Sequence, residues 1–232
     1  MKKLTQLLIA ILVILFLNSC HTEQGILEKE TVILIDGTDK LSNISDFENF
    51  KKKLLPENTI NGAKFRCGII NDIEYSGIVE AELKPKLTED ETQEEMYGRR
   101  NVFIKKCQQG YENQTKSALE KNHSIIYSII IKQLNELSQS RAKVKTLYIN
   151  SDLYENSDLL NVYNPKQFKD FKKNKSKYKQ QFEAKYPLQN LDGIEIYFIY
   201  KPKDFNDNMK YKELHELYLQ ILKNKGAKCM TI

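Results

Sequence analysis

The longest apolar run in the chain is also the first: Leu7 to Leu17, 11 residues without a polar interruption, behind Lys2 and Lys3. A membrane-spanning helix takes about 20 such residues, whereas a basic start followed by a short apolar stretch is the order of a secretory signal. Beyond it the apolar positions change spacing. Thr31 to Ile35 is a short run rich in β-branched residues that stops at Asp36-Gly37-Thr38-Asp39, and an apolar run bounded by turn residues predicts a fully buried strand. Leu41 to Leu55 carries Phe47, Phe50, Leu54 and Leu55 at helical spacing, opens on Ser45-x-x-Glu48 in the pattern of a capping box, and is ended by Pro56. Lys64 to Ile70 and Gly77 to Leu83 predict two strands close enough to pair as a hairpin.

A long, mostly polar stretch from Thr88 to Asn122 predicts helix, with Gly98 and Gly110 as expected breaks. Asn122-His123-Ser124 stands as a cap before an apolar helix, Ile125 to Ser138. Val144 to Asn150 predicts a second strand of the first kind, ending in Ser151-Asp152. Pro165 to Tyr186 predicts a basic helix with Phe168, Phe171, Tyr178 and Phe182 on one side. Gly193 to Tyr200 then predicts an aromatic strand, Met209 to Lys225 an amphipathic helix closed by Gly226, and Ala227 to Ile232 a last short strand. The order β-α-β-β-α-α-β-α-β-α-β belongs to an α/β domain with a mostly parallel sheet, one antiparallel strand and helices on both faces.

Strand order gives the polar turns their interest. Asp36 and Thr38 follow the first strand, Ser124 begins the core helix, and Asp152 follows the strand after that helix. In a parallel sheet these positions share the carboxyl edge, where open α/β sheets bind ligands. Carboxylates and hydroxyls together are hard oxygen donors and suit Mg²⁺. Each also has a plain structural use, because Asp, Asn and Ser end strands and cap helices.

The signal-like segment ends in Leu17-Asn18-Ser19-Cys20, which resembles the lipobox of bacterial lipoproteins. The resemblance implies a signal peptide over 1–19, cleavage before Cys20, lipid (diacylglyceryl and palmitate-type acyl) on its sulfur, a tether over 20–29 and a domain over 30–232. It places the protein in the cell envelope, anchored to membrane lipid through Cys20. His21 rather than Asp follows that cysteine, which points to the outer membrane if the source has two membranes. The whole chain carries a net +5; without Lys2 and Lys3 it holds 34 basic and 31 acidic residues, a net +3, which is no nucleic-acid footprint. Cys67, Cys107 and Cys229 sit in apolar or mixed segments and share no metal-ligand spacing with His21, His123 or His215.

The element order and two turns, Val32–Lys40 and Thr146–Ser157, resemble the von Willebrand factor A (vWA)-like domain. The resemblance implies a three-layer vWA/Rossmann-like fold and a metal-ion-dependent adhesion site, or MIDAS. Carried over, the metal ligands fall on Asp36, Thr38, Ser124 and Asp152, with Mg as the cofactor. The function it implies is a membrane-anchored protein-binding or scaffold module whose bound metal a partner's carboxylate completes; the partner protein is unspecified. The second serine of the family's Asp-x-Ser-x-Ser turn is Lys40 here, a side chain that cannot ligate a cation. The expectation is therefore a degenerate site on a non-enzymatic module. Two other readings stay open. One is a structural envelope protein with a non-functional metal site. The other is a phosphohydrolase, because Asp36-Gly37-Thr38 and Ser151 resemble motifs of the haloacid-dehalogenase-like family, although Thr38 stands where that family has a second Asp and Asp204-Phe205-Asn206-Asp207 matches its late acidic motif poorly.

Overall fold

A computed structural model gives the architecture for residues 25–37, 44–71, 77–86, 91–118 and 125–232. The signal segment, Cys20, Thr38, Lys40 and Ser124 lie outside the described residues.

Six strands form one sheet: β1 (Leu27–Asp36), β2 (Gly62–Ile70), β3 (Val79–Leu83), β4 (Val144–Asn150), β5 (Ile194–Ile199) and β6 (Lys228–Thr231), in the spatial order β3-β2-β1-β4-β5-β6. All neighbours are parallel except β2 and β3, the expected hairpin, which makes β3 an antiparallel edge. β1 is central, and this explains its continuous apolar run. Val32 and Leu34 belong to one core and Ile33 and Ile35 to the other, so every position from Val32 to Ile35 is buried.

Two helices cover the face of Ile33 and Ile35: α1 (Glu48–Leu54) through Phe50 and Leu54, and α2 (Gln93–Ala118) through Phe103, Cys107 and Tyr111. The opposite face carries α3 (Ile126–Ser138), α4 (Pro165–Lys173), α5 (Lys175–Lys185) and α6 (Phe205–Lys223). This is the three-layer α/β architecture that the element order implies.

The helices depart from expectation in three places. Ser45 does not cap α1: the helix starts at Glu48 behind Phe47, which makes no side-chain cap. The Ser45 carbonyl instead accepts the Tyr111 hydroxyl, and Phe47 and Phe50 pack against the Tyr111 ring at centroid distances of 5.8 and 5.7 Å. Burial of these rings sets the start of the helix. Second, the basic helix is two helices. Asn174, at φ −126 and ψ 37, divides α4 from α5, and Phe168, Phe171, Tyr178 and Phe182 all still reach one core. Four of its lysines pair with acids, as Lys175 does with Glu213 and Glu216 and Lys185 with Asp158.

Third, α2 runs unbroken through both glycines. At Gly110 the reason is packing, since a Cβ there would stand 2.7 Å from Val79 Cγ1 on β3. At Gly98 a Cβ would meet nothing within 4 Å. The two positions therefore give opposite expectations in urea denaturation. Gly98→Ala stabilises by about 0.5–1 kcal/mol through helix propensity. Gly110→Ala destabilises by about 1–3 kcal/mol through overpacking. Equal effects would mean that α2 does not lie this close to β3.

Candidate functional site

Strand order reverses between β1 and β4, and such a switch point opens a crevice at the carboxyl edge of the sheet. The register places the polar turns beside one another there. Ile35 pairs with Asn150 across β1 and β4, so Asp36 and Ser151 emerge side by side. Ser151 Oγ donates to Asp36 Oδ2 at 2.7 Å and accepts the Leu153 N–H at 2.9 Å. Asp152 Oδ1 accepts the Tyr154 N–H at 2.8 Å. Asp36, Ser151 and Asp152 are 3, 2 and 4 % exposed, so both carboxylates stand inside the protein rather than on it. Of the four expected ligands, then, the two acids come together at one edge; Thr38 and Ser124 are not among the described residues.

The turn after Asp152 is strained. Leu153 has φ +62, a left-handed conformation that a bulky residue rarely adopts, and the Glu155 N–H closes on the Leu153 carbonyl at 2.8 Å. The Leu153 side chain is fully buried in the core, which holds the strained backbone in place.

That turn delivers a third acid. Glu155 Oε2 accepts the N–H groups of Ile126 and Tyr127 at 3.1 and 2.9 Å and so caps α3, whose N-cap residue Ile125 offers no side-chain oxygen. Burial pushes the Glu155 carboxyl up to about 7. The hydrogen bonds from the Tyr127 and Ile126 N–H groups oppose that rise, and the negative charge of Asp36 adds to it. Glu155 stands in the turn that the sequence singled out, but its role does not follow from local pattern, because the N–H groups it satisfies lie 28 and 29 residues earlier. Asn71 is a second residue not foreseen. It directly follows β2, where Ile70 pairs with Asp36, and its carbonyl accepts the Ile125 N–H at 3.3 Å. Its buried Oδ1 has no hydrogen-bond partner among the described residues.

The donors at this edge fit a hard divalent cation. They are carboxylate, hydroxyl and amide oxygens, and the Asn71 oxygen is a buried acceptor that lacks a donor among the described residues. No group of three His, Cys, Asp or Glu in ligating proximity occurs among the described residues, so a metal here would also need non-acidic oxygens. The soft donors are elsewhere. His215 packs between the Phe198 and Tyr211 rings. Burial raises the Cys107 thiol to about 12 and the Cys229 thiol to about 11, and both of these and Cys67 are unpaired as disulfides.

The late acidic residues have structural partners. Asp204 caps α6 by accepting the Asp207 N–H at 2.9 Å. Asp207 accepts the hydroxyls of Tyr154 at 2.5 Å and Tyr200 at 2.8 Å and the Lys203 N–H at 2.7 Å. Burial works against its charge, but these bonds outweigh it and hold the carboxyl below the usual range.

Fold and edge define a three-layer α/β protein with a buried cluster of oxygen-bearing side chains, Asp36, Ser151 and Asp152, at its topological switch point. No protein-family model matches the chain. No curated protein matches it either.

Proposed function

We propose that the protein is a vWA-like binding module, tethered to a membrane of the cell envelope through lipid on Cys20, that holds a divalent cation such as Mg²⁺ at the carboxyl edge of its sheet and docks a protein partner there. One observation carries the reading: Asp36 ends β1 and Asp152 lies in the turn directly after the adjacent parallel strand β4, at the point where strand order reverses, both are buried, and Ser151 beside Asp152 hydrogen-bonds Asp36. A pair of carboxylates is costly to bury, and a bound cation offsets that cost. Asp36 and Asp152 would hold the ion directly, with Thr38, Ser124 and the orphan oxygen of Asn71 as the remaining donors.

Bound metal stabilises the folded chain by mass action, so saturating Mg²⁺ or Mn²⁺ raises the melting temperature. At about a hundred times the dissociation constant the gain is about 2.7 kcal/mol. Asp36→Ala abolishes the rise while the variant remains folded by circular dichroism. No rise in the wild-type chain would overturn the metal-holding part of the reading. Release of the protein from the membrane fraction by Cys20→Ser tests the anchor separately.

The hydrogen bond from Ser151 to Asp36 also suits a phosphohydrolase, in which a strand-end hydroxyl orients an attacking carboxylate. Hydrolysis of p-nitrophenyl phosphate that disappears in Asp36→Asn would replace the binding reading with that one.

A further inference from the structure

β1 starts at Leu27, so the chain enters the sheet seven residues after Cys20. That stretch extends at most about 25 Å, whereas the ten residues of β1 rise about 33 Å to the Asp36 edge. A bilayer that holds Cys20 therefore lies on the side of the amino edge of the sheet, and the charges of that edge decide how the domain meets it.

Parallel pairing brings the starts of β4, β5 and β6 to the same edge beside β1. Three connections meet there: residues 139–143 lead from α3 into β4, 187–193 lead into β5, and 224–227 lead from α6 into β6. Hydrogen bonds join them into one surface. Ser138 Oγ donates to Gln189 Oε1 at 3.0 Å, the Gln189 N–H to Asn135 Oδ1 at 2.9 Å, and the Leu191 N–H to the Lys225 carbonyl at 2.7 Å.

This surface is basic. Arg141, Lys143 and Lys223 are exposed on it, and Lys145 and Lys225 are half-buried. Lys228 beside them is paired with Glu195 at 2.7 Å. The acid of the three connections is Asp192, which accepts the Asn190 amide at 2.8 Å. Glu136, in the last turn of α3, is taken up by Arg66. Exposed acids of the edge stand over its other half: Glu57, Glu94 and Glu95, around the starts of β2 and α2, where Arg100 donates to the Pro56 carbonyl. The amino edge is thus basic over β4 to β6 and acidic over β2 and β3.

We propose that Arg141, Lys143 and Lys145, with Lys223 and Lys225, dock the domain on the anionic headgroups of the membrane that holds Cys20. The basic half of the edge faces the bilayer, and the carboxyl edge, with Asp36 and Asp152, faces away from it toward a partner. The inference rests on the lipid-anchor reading above. Lysines are drawn to an anionic bilayer over a Debye length of about 10 Å, and a tether this short keeps the surface close enough for a weak attraction to act.

The test uses the mature chain purified from the membrane fraction and reconstituted on the outside of vesicles, of phosphatidylcholine alone or of phosphatidylcholine and phosphatidylglycerol in equal parts. Lysines are acetylated briefly and the sites read by mass spectrometry. With phosphatidylglycerol, Lys143, Lys223 and Lys225 label at least about threefold more slowly, and high salt restores their rate. Lys201 and Lys210 near the carboxyl edge, and Lys84 over the acidic half, label alike on both vesicles. Arg141→Glu with Lys223→Glu removes the protection of Lys143 and Lys225 without a change in melting temperature. Equal labelling of Lys143, Lys223 and Lys225 on the two vesicles, or equal protection of Lys201 and Lys210, overturns the docking. Protection in native membranes that is absent from the vesicles overturns it in favour of an acidic protein. The mass of the N-terminal peptide reads the lipid on Cys20 in the same sample. Its absence overturns the anchor reading and the docking with it, whereas lipid present with equal labelling overturns the docking alone.

Discussion

Arg66→Met is expected to destabilise the domain by about 3–5 kcal/mol, a drop of about 10 °C in melting temperature, although the substitution puts an apolar residue into an apolar strand. Arg66 is 3 % exposed in the middle of β2. Its Nε lies 3.0 Å from Glu30 Oε1 on β1, and its Nη1 donates to Gln133 Oε1 at 2.9 Å and Glu136 Oε2 at 2.6 Å on α3. Glu30 and Gln133 are themselves 6 and 1 % exposed. Removal of the guanidinium leaves a buried carboxylate and a buried amide oxygen without their partner, and that desolvation sets the size of the loss. The cycle with Glu30→Leu separates this from lost packing. The double variant is expected to be more stable than Arg66→Met alone, because no unpaired charge remains in the sheet. Additive losses in urea denaturation would show that the ion pair is not what Arg66 supports.

The same network positions the site. Glu30, Val32, Leu34 and Asp36 alternate onto one face of β1, the face that α3 covers. Arg66 thus joins β1, β2 and α3 on the side of the sheet from which Asp36 projects, and Glu155 fixes the start of the same helix.

The order of elements was legible because each strand is an apolar run with its own stop. β4 occupies Val144–Asn150, the span its pattern predicts, and β1 ends at the Asp36 that bounds its run. The meeting of Asp36 with the Ser151-Asp152 turn was legible too, since parallel strands deliver their carboxyl ends to one edge. What could not be read depends on contacts distant in sequence. Gly110 is an ordinary helix breaker until Val79 is packed against it. Arg66 is a plain alternation position until Glu30 and Gln133 close around it. Asn174 divides a helix whose aromatic spacing runs through the break. Local propensity carries none of this information, and tertiary packing overrides it.

Glu155 is expected to give the domain a stability that falls as pH rises from about 4.5 to about 7. Its carboxyl titrates near 4.5 in the open chain and near 7 in the fold. Below 4.5 it is protonated in both states, and its contribution is fully present. Between the two values the unfolded chain releases the proton while the folded chain keeps it, so stability is lost with pH, reaching about 3 kcal/mol above 7 at about 1.36 kcal/mol per pH unit. Glu155→Gln retains an oxygen for the Ile126 and Tyr127 N–H groups and cannot ionise. Denaturation of the variant and the wild type across this range is expected to give curves that diverge upward in favour of the variant, a comparison in which the other titrating groups cancel. Parallel curves would place the Glu155 titration outside the range. Glu155→Ala separates the charge from the cap, because it removes the oxygen as well; it is expected to cost about 2 kcal/mol through the uncapped start of α3. The slope also reports on the carboxyl edge of the sheet. Asp36 raises the Glu155 value through its charge. A cation held at Asp36 opposes that charge, so saturating Mg²⁺ is expected to flatten the wild-type curve and to leave Glu155→Gln unchanged in slope.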